Sequence, residues 1–442
     1  MDKKPTAAKN NASIFITIFV ILFALCIAAM LVMAVITRGA SFTATLFHSD
    51  DTYNKDFFMD FFNSIRDASS MDVYKKGVIY PPLANLLFFA LSKLISPSVT
   101  GTSFTQRYAM QVNQQAIVIY FLFAILCVAA LSFIIKYYLK SKQNKAWAEV
   151  LSFLFLFFYP FYYCIERGNI ILLAMIFSAF FVFFHDSESK TARRASYILL
   201  GAAAGLKIYP AFFGLILLQK KRYKAALRTM VYGLLFFFVP FLFYHFGADF
   251  FTFLENVFGF SSENKQHFTF GSVSVMNVFY YLSDKYVPLG KVLFVLTELV
   301  AVAAVFTVPK DWQRYALIAY MIVNIKSVSS SYALIFFIIP FVVFLSRSTK
   351  KRGVDWFYFL LFCLILLPLP CFYYFHPEII QPFFSSMGLP VVLNLNQVIA
   401  LPVVQAMYLF LCLEALINFI HKVKAGQKPL SFFYQKPKMK KA

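Results

Sequence analysis

Two carboxylates and two cations carry the chemical information in this 442-residue chain. Asp56 and Asp60, in "NKDFFMDFF", stand four apart, a spacing that puts both on one face of a helix. A carboxylate held there can take the proton of an attacking hydroxyl. Asp60 starts the more regular aromatic helix and is the preferred base; Asp56 is the second choice. Arg167, in "YYCIERGNIILLAM", and Lys207, in "GAAAGLKIYPAFFG", interrupt long apolar runs. Arg grips phosphate through its planar fork and Lys as a point charge. Each residue has a bland reading too. Most aspartates of the polar stretch can be a solvated loop, Lys207 can snorkel to the interface, and Glu166 with Arg167 can be a self-contained charged turn. Neighbours in sequence do not face each other on a helix, however, so Arg167 calls for a partner elsewhere.

The elements that must position these groups are transmembrane helices. Hydrophobic residues make up 60% of the chain, charged ones 14%, and Phe alone contributes 58. Repeated apolar runs of this kind exclude a soluble domain. Ile14 to Ile36 reads as a retained span, not a cleaved signal. The net charge of +21 does not point to nucleic acid, because Lys and Arg gather in short breaks between apolar runs, as in cytoplasmic loops. The six cysteines lie in or beside apolar runs and form no CxxC pair, so neither a disulfide framework nor a metal site is expected. No cofactor is implied.

Threading the basic breaks to one side gives an all-α, polytopic protein with about twelve transmembrane helices and both termini inside. One integral membrane domain spans residues 1–421, and a basic tail follows at 422–442. The outer face carries a loop at 38–112 with juxtamembrane helices, among them "YPPLANLLFFALSKLI" from Tyr80 to Ile95, and a second loop at 247–286. Phe57, Phe58, Phe61, Phe62 and Ile65 give the Asp60 helix an apolar side for the membrane interface. Lys207 tops a helix pair whose arms, 195–206 and 208–219, each reach only ~18 Å. Its apex therefore lies within the bilayer's depth, where a charge by default marks a site. Lys326 tops a second short pair, 312–325 and 331–346.

Four short motifs stand in order along the first half of the chain: Asp60-Phe61-Phe62, Tyr80-Pro81-Pro82-Leu83, Arg167-Gly168-Asn169, and Leu206-Lys207 with Pro210. In that order and on that side of the membrane, they resemble the GT-C glycosyltransferases. Within that class they are most similar to glycosyltransferase family 87, the polyprenol-phosphate-mannose-dependent α-mannosyltransferases. The resemblance implies inverting transfer of a hexosyl, mannosyl by the family's habit, from a polyprenyl-phosphate donor to a glycolipid or envelope glycan on the outer face of the cell membrane. It gives the catalytic role to Asp60 or Asp56 and the donor phosphate to Arg167 and Lys207, with Lys326 as a further contact. Tyr80, Asn169, Tyr209 and His267 are expected around the substrates. No metal is required, since cations already face the leaving phosphate; His48 beside Asp50 and Asp51 leaves one conceivable. The late His-bearing motif of the family has no counterpart in "KSVSSSYALIFF". A transporter or flippase of lipid-linked sugars is the alternative, because broken helices with charges at midplane also suit transport.

Overall fold

The structure, a computed structural model, describes residues 6–39, 57–100, 109–141, 145–263, 272–325, 331–346, 353–369 and 395–426. Asp56, His267 and Lys326 lie outside these residues, as do His48, Asp50 and Asp51. Every regular element among the described residues is helical. The chain runs α1 (Thr6–Ile36), α2 (Met59–Ala68), α3 (Pro82–Ser92) and α4 (Gln114–Lys140). It continues through α5 (Lys145–Leu154), α6 (Tyr159–Arg167), α7 (Ile171–Phe184) and α8 (Lys190–Leu206). A 3-10 turn, Tyr209–Gly214, leads into α9 (Leu215–Gln219), then α10 (Tyr223–Phe238), α11 (Phe246–Glu263) and α12 (Val275–Leu282). The last part holds α13 (Val287–Thr307), α14 (Asp311–Asn324), a 3-10 segment Ser331–Phe337 with α15 (Ile338–Leu345), α16 (Gly353–Leu366) and α17 (Leu395–Lys424).

Five of these stretches are long and apolar enough to cross a bilayer: Ile14–Ile36, α4, Tyr223–Phe243, α13 and α17. A sixth arises if the pair Trp147–Phe157 and Tyr159–Arg167, bent by 51°, is one span. Each of the twelve apolar segments read from the sequence holds a helix, but several are only 10–17 residues long. α1, α4 and α13 turn residues such as Val35, Leu126 and Leu299 outward, exposed on one side, as lipid-facing helices do. The protein is a multi-pass membrane protein. α14 is its opposite: from Trp312 to Asn324 nearly every side chain is buried, and Tyr320 stacks on Tyr408 of α17 at 4.1 Å.

Three expectations are corrected. The interval 247–286 is not a plain loop: it contains α12 and most of α11, and Asn256 of α11 donates to Tyr74 O at 2.7 Å, clamping α11 to the segment before α3. The rising arm below Lys207 begins at Lys190, with Ser189 accepting from Ala192 N–H as its cap, so it is longer than 195–206. Finally, α2, which begins at Met59 with Asp60 in its first turn, does not turn its aromatic side to lipid. Phe61, Phe62 and Ile65 are buried with Phe88 and Tyr120 in a second core beside the main one.

Small residues set the close contact between α8 and α10. A Cβ at Gly201 of α8 would stand 2.6 Å from Tyr232 Cβ of α10. One at Gly205, a turn later, would stand 2.7 Å from Phe236 Cβ. The Gly201–Gly205 spacing is the small-xxx-small pattern that lets membrane helices approach at backbone distance.

Candidate active site

Asp60 and Arg167 meet across 107 residues of sequence because two helix ends are moored to each other. α6 closes in a Schellman turn: Gly168 N–H donates to Ile165 O at 2.9 Å and Asn169 N–H to Cys164 O at 3.3 Å. Gly168 has φ of 66°, and a Cβ on it would stand 2.8 Å from Phe61 Cβ. Glycine is needed there both for the left-handed turn and for the close approach. Phe58 N–H donates to Glu166 O at 2.7 Å, and Tyr120 OH donates to Ile165 O. The start of α2 is thereby tied to the end of α6. Asp60 falls in the first turn of α2 and Arg167 in the last turn of α6, where each charge also suits its helix dipole.

The carboxylate is held from two sides. Arg167 Nη2 donates to Asp60 Oδ1 at 2.7 Å, and Asn169 Nδ2 donates to Asp60 Oδ2 at 2.7 Å. Asn169 is itself fixed, its Oδ1 accepting from Ile171 N–H at 3.0 Å. The Arg167 and Asp60 side chains are 20% and 19% exposed, sheltered yet reachable. A carboxylate offers about four lone-pair positions, so two donors leave room for a substrate hydroxyl. The partner that the sequence demanded for Arg167 is thus Asp60.

Tyr80 joins this group to Lys207. Its carbonyl accepts from Asn85 Nδ2 at 3.0 Å and from Tyr74 OH at 3.3 Å, which fixes Tyr80 two residues before α3. Its hydroxyl lies 3.4 Å from Asn169 Nδ2. Lys207 Nζ sits over its ring, 3.8 Å from the centroid, a cation–π contact. Lys207 itself is extended, with φ −147° and ψ 129°, at the end of α8. The helix cannot continue, because Pro210 has no amide to give the carbonyl of Leu206. Beside this break lies a cavity of about 330 Å³, lined by Tyr80, Pro81, Lys207, Tyr209, Phe212 and Ile325 among others.

With this geometry in hand, comparison with known proteins is decisive on one point. The profile of glycosyltransferase family 87 matches residues 79–336, more than half of the chain. The chain belongs to glycosyltransferase family 87. No curated protein and no solved structure matches it. The match begins at Ile79 and ends at Phe336, so it takes in Tyr80, Arg167, Asn169, Lys207 and Tyr209 of this family 87 chain, whereas Asp60 precedes it.

Of the residues singled out in the sequence, Asp60, Tyr80, Arg167, Asn169 and Lys207 form one connected group, and Tyr209 lines the adjoining cavity. Asp56, His267 and Lys326 lie outside the described residues. One residue was missed. Tyr332, in the 3-10 segment Ser331–Phe337, packs on Tyr163 with ring centroids 6.1 Å apart and is within electrostatic reach of Asp60, Tyr80 and Arg167. The signal was present: Tyr332 stands in "KSVSSSYALIFF", shortly after the cation Lys326, as Tyr209 stands shortly after Lys207.

Proposed function

We propose that the protein transfers a hexosyl unit, mannosyl by the family's habit, from a polyprenyl-phosphate donor to a glycolipid or envelope glycan acceptor. The observation that carries this reading is the Asp60 carboxylate, gripped by Arg167 and Asn169 and linked through Tyr80 to the Lys207 cavity. In the proposed step the acceptor hydroxyl attacks the anomeric carbon as the bond to the phosphate oxygen breaks. The hydroxyl proton passes to Asp60, and the bond's electron pair leaves with the polyprenyl phosphate. Attack opposite the leaving group inverts the anomeric centre.

Lys207 and Arg167 face the charge that builds on the departing phosphate. Cations fixed there lower the barrier to the extent that they hold the transition state better than the ground state. Arg167 has donors beyond the one given to Asp60. Tyr80, Asn169 and Tyr209 bound the space for the sugar. Ile325 lines the cavity, and Lys326, the next residue in the chain, stays a proposed phosphate contact; His267 stays a proposed acceptor contact. The excess of Lys and Arg in the other breaks supports twelve spans, both termini inside the cell, and an Asp60 face turned outward.

The test is reconstitution of the full chain in liposomes with radiolabelled polyprenyl-phosphate mannose and a lipid extract as acceptor source. Transfer should be seen, and Asp60→Asn should lower it by roughly 10²–10⁴-fold. Full turnover by Asp60→Asn would remove the base. Transfer from a nucleotide sugar in place of the polyprenyl donor would remove the donor class.

A further inference from the structure

A second charged recess lies away from Asp60, where α9 turns into α10. Lys220, Lys221 and Arg222 make this turn, with Lys221 at φ 56°. Its cavity, about 640 Å³, is lined by Arg193 and Tyr197 of α8 and by Lys221, Arg222, Lys224 and Arg228, with no acidic side chain in the lining. Among the described residues, the carboxylate ion-paired to this turn is Asp186. It binds Lys220 and, at 2.7 Å, Arg222 Nη1. Arg193 Nη1 donates to Ser187 O at 2.6 Å. Among the described residues no ion pair reaches Arg193, Lys224 or Arg228. Lys224 and Arg228 are four apart and so share one face of α10.

This recess adjoins an apolar groove. Tyr223 lines both the basic cavity and a channel of about 680 Å³ between α8, α9 and α10. The groove walls include Leu215, Leu218, Leu227, Met230 and Leu234. A Cβ at Gly214 would touch nothing, so the groove stays open along α9. Uncompensated cations at the mouth of a greasy channel select an amphiphile with an anionic head. An amine-bearing head would set its own cation among Arg193, Arg222, Lys224 and Arg228.

We infer that this recess binds an amine-free anionic glycerophospholipid, its phosphodiester on Arg193, Lys224 and Arg228 and an acyl chain in the α8–α9–α10 groove. The site is independent of the donor and the acceptor of the transfer reaction. It is a structural lipid site on the basic face.

Native mass spectrometry of the full-length protein, stripped of lipid and titrated with dioleoyl-phosphatidylglycerol, tests it. One lipid should be retained, with dioleoyl-phosphatidylcholine and inorganic phosphate each competing at least tenfold less well. Arg193→Gln with Arg228→Gln should weaken retention by at least about tenfold, since each lost charge-assisted contact is individually that large. Arg193→Lys with Arg228→Lys should restore much of it. Ala226→Trp, on the groove wall, should weaken retention while leaving the arginines in place, and it serves if the glutamine pair does not fold. Equal retention of phosphatidylcholine, unchanged binding by the glutamine pair or by Ala226→Trp, or displacement by phosphate as readily as by phosphatidylglycerol would each overturn the inference.

Discussion

At the scale of single residues, Asp60 is defined by its donors. Arg167 supplies a charged N–H and Asn169 a neutral one, each at 2.7 Å. Arg167→Lys keeps a positive charge but loses the planar fork that can serve Asp60 and a phosphate together. Its transfer rate should fall about 10–100-fold under saturating donor, consistent with ~1.4–2.7 kcal/mol for a lost charged hydrogen bond. Near-wild-type turnover would show that a point charge suffices. Tyr80 separates two roles. Tyr80→Phe keeps the ring under Lys207 and loses only the hydroxyl 3.4 Å from Asn169. Tyr80→Leu loses the ring as well, a cation–π contact of ~0.5–2 kcal/mol. Donor KM should therefore rise several-fold in Tyr80→Leu and change little in Tyr80→Phe; equal values for both would mean that the ring does nothing for Lys207.

At the scale of elements, the site depends on the mooring of α2 to α6. Gly168→Ala places a Cβ 2.8 Å from Phe61 Cβ on a left-handed backbone. The backbone alone costs ~1–2 kcal/mol, and the clash pushes Asp60 away from Arg167. Transfer should drop more steeply than thermal stability does; a fall in melting temperature with unchanged specific activity would uncouple the turn from the site. Sequence reading reached much of this level. Apolar runs located the five long candidate spans, and the pairing of Gly205 with Pro210 located the break at Lys207. It missed α11 because "FGADFFTFLENVFGF" mixes aromatic and polar residues without the length of a span. It took Phe61 and Phe62 for lipid-facing side chains, since periodicity reports an apolar side and not what covers it. Tyr332 and the direct Asp60–Arg167 ion pair escaped, although the family resemblance put both charged residues in one site, because contacts over more than a hundred residues leave no local pattern. Only the need for some partner at Arg167 was legible.

For the molecule as a whole, charge placement outside the bilayer can be probed through Asp186, which links the end of α7 to the turn before α10. Burial opposes its ionisation, but the adjacent His185 imidazole, the hydrogen bond from Lys220 and the nearby cations outweigh that and hold its carboxyl well below the usual range. A depressed folded pKa means that the stabilisation is complete above the unfolded value of about 3.9 and is lost as the pH falls below it. The melting temperature of the wild-type protein should decline progressively as the pH falls from about 4 to 2, and Asp186→Asn should show a lower value at pH 7 and a flatter acid profile. Parallel profiles would discard the link. The ion pair at Asp60 has a consequence for the reaction's formal charge. In the proposed transfer Asp60, Arg167 and Lys207 together carry one positive unit, which the singly ionised phosphodiester of the proposed donor would cancel. When the sugar leaves, the phosphate gains a negative unit while Asp60 loses one by accepting the proton. The sum is zero on both sides of the transfer, so turnover leaves no net charge stranded in a medium that solvates ions poorly.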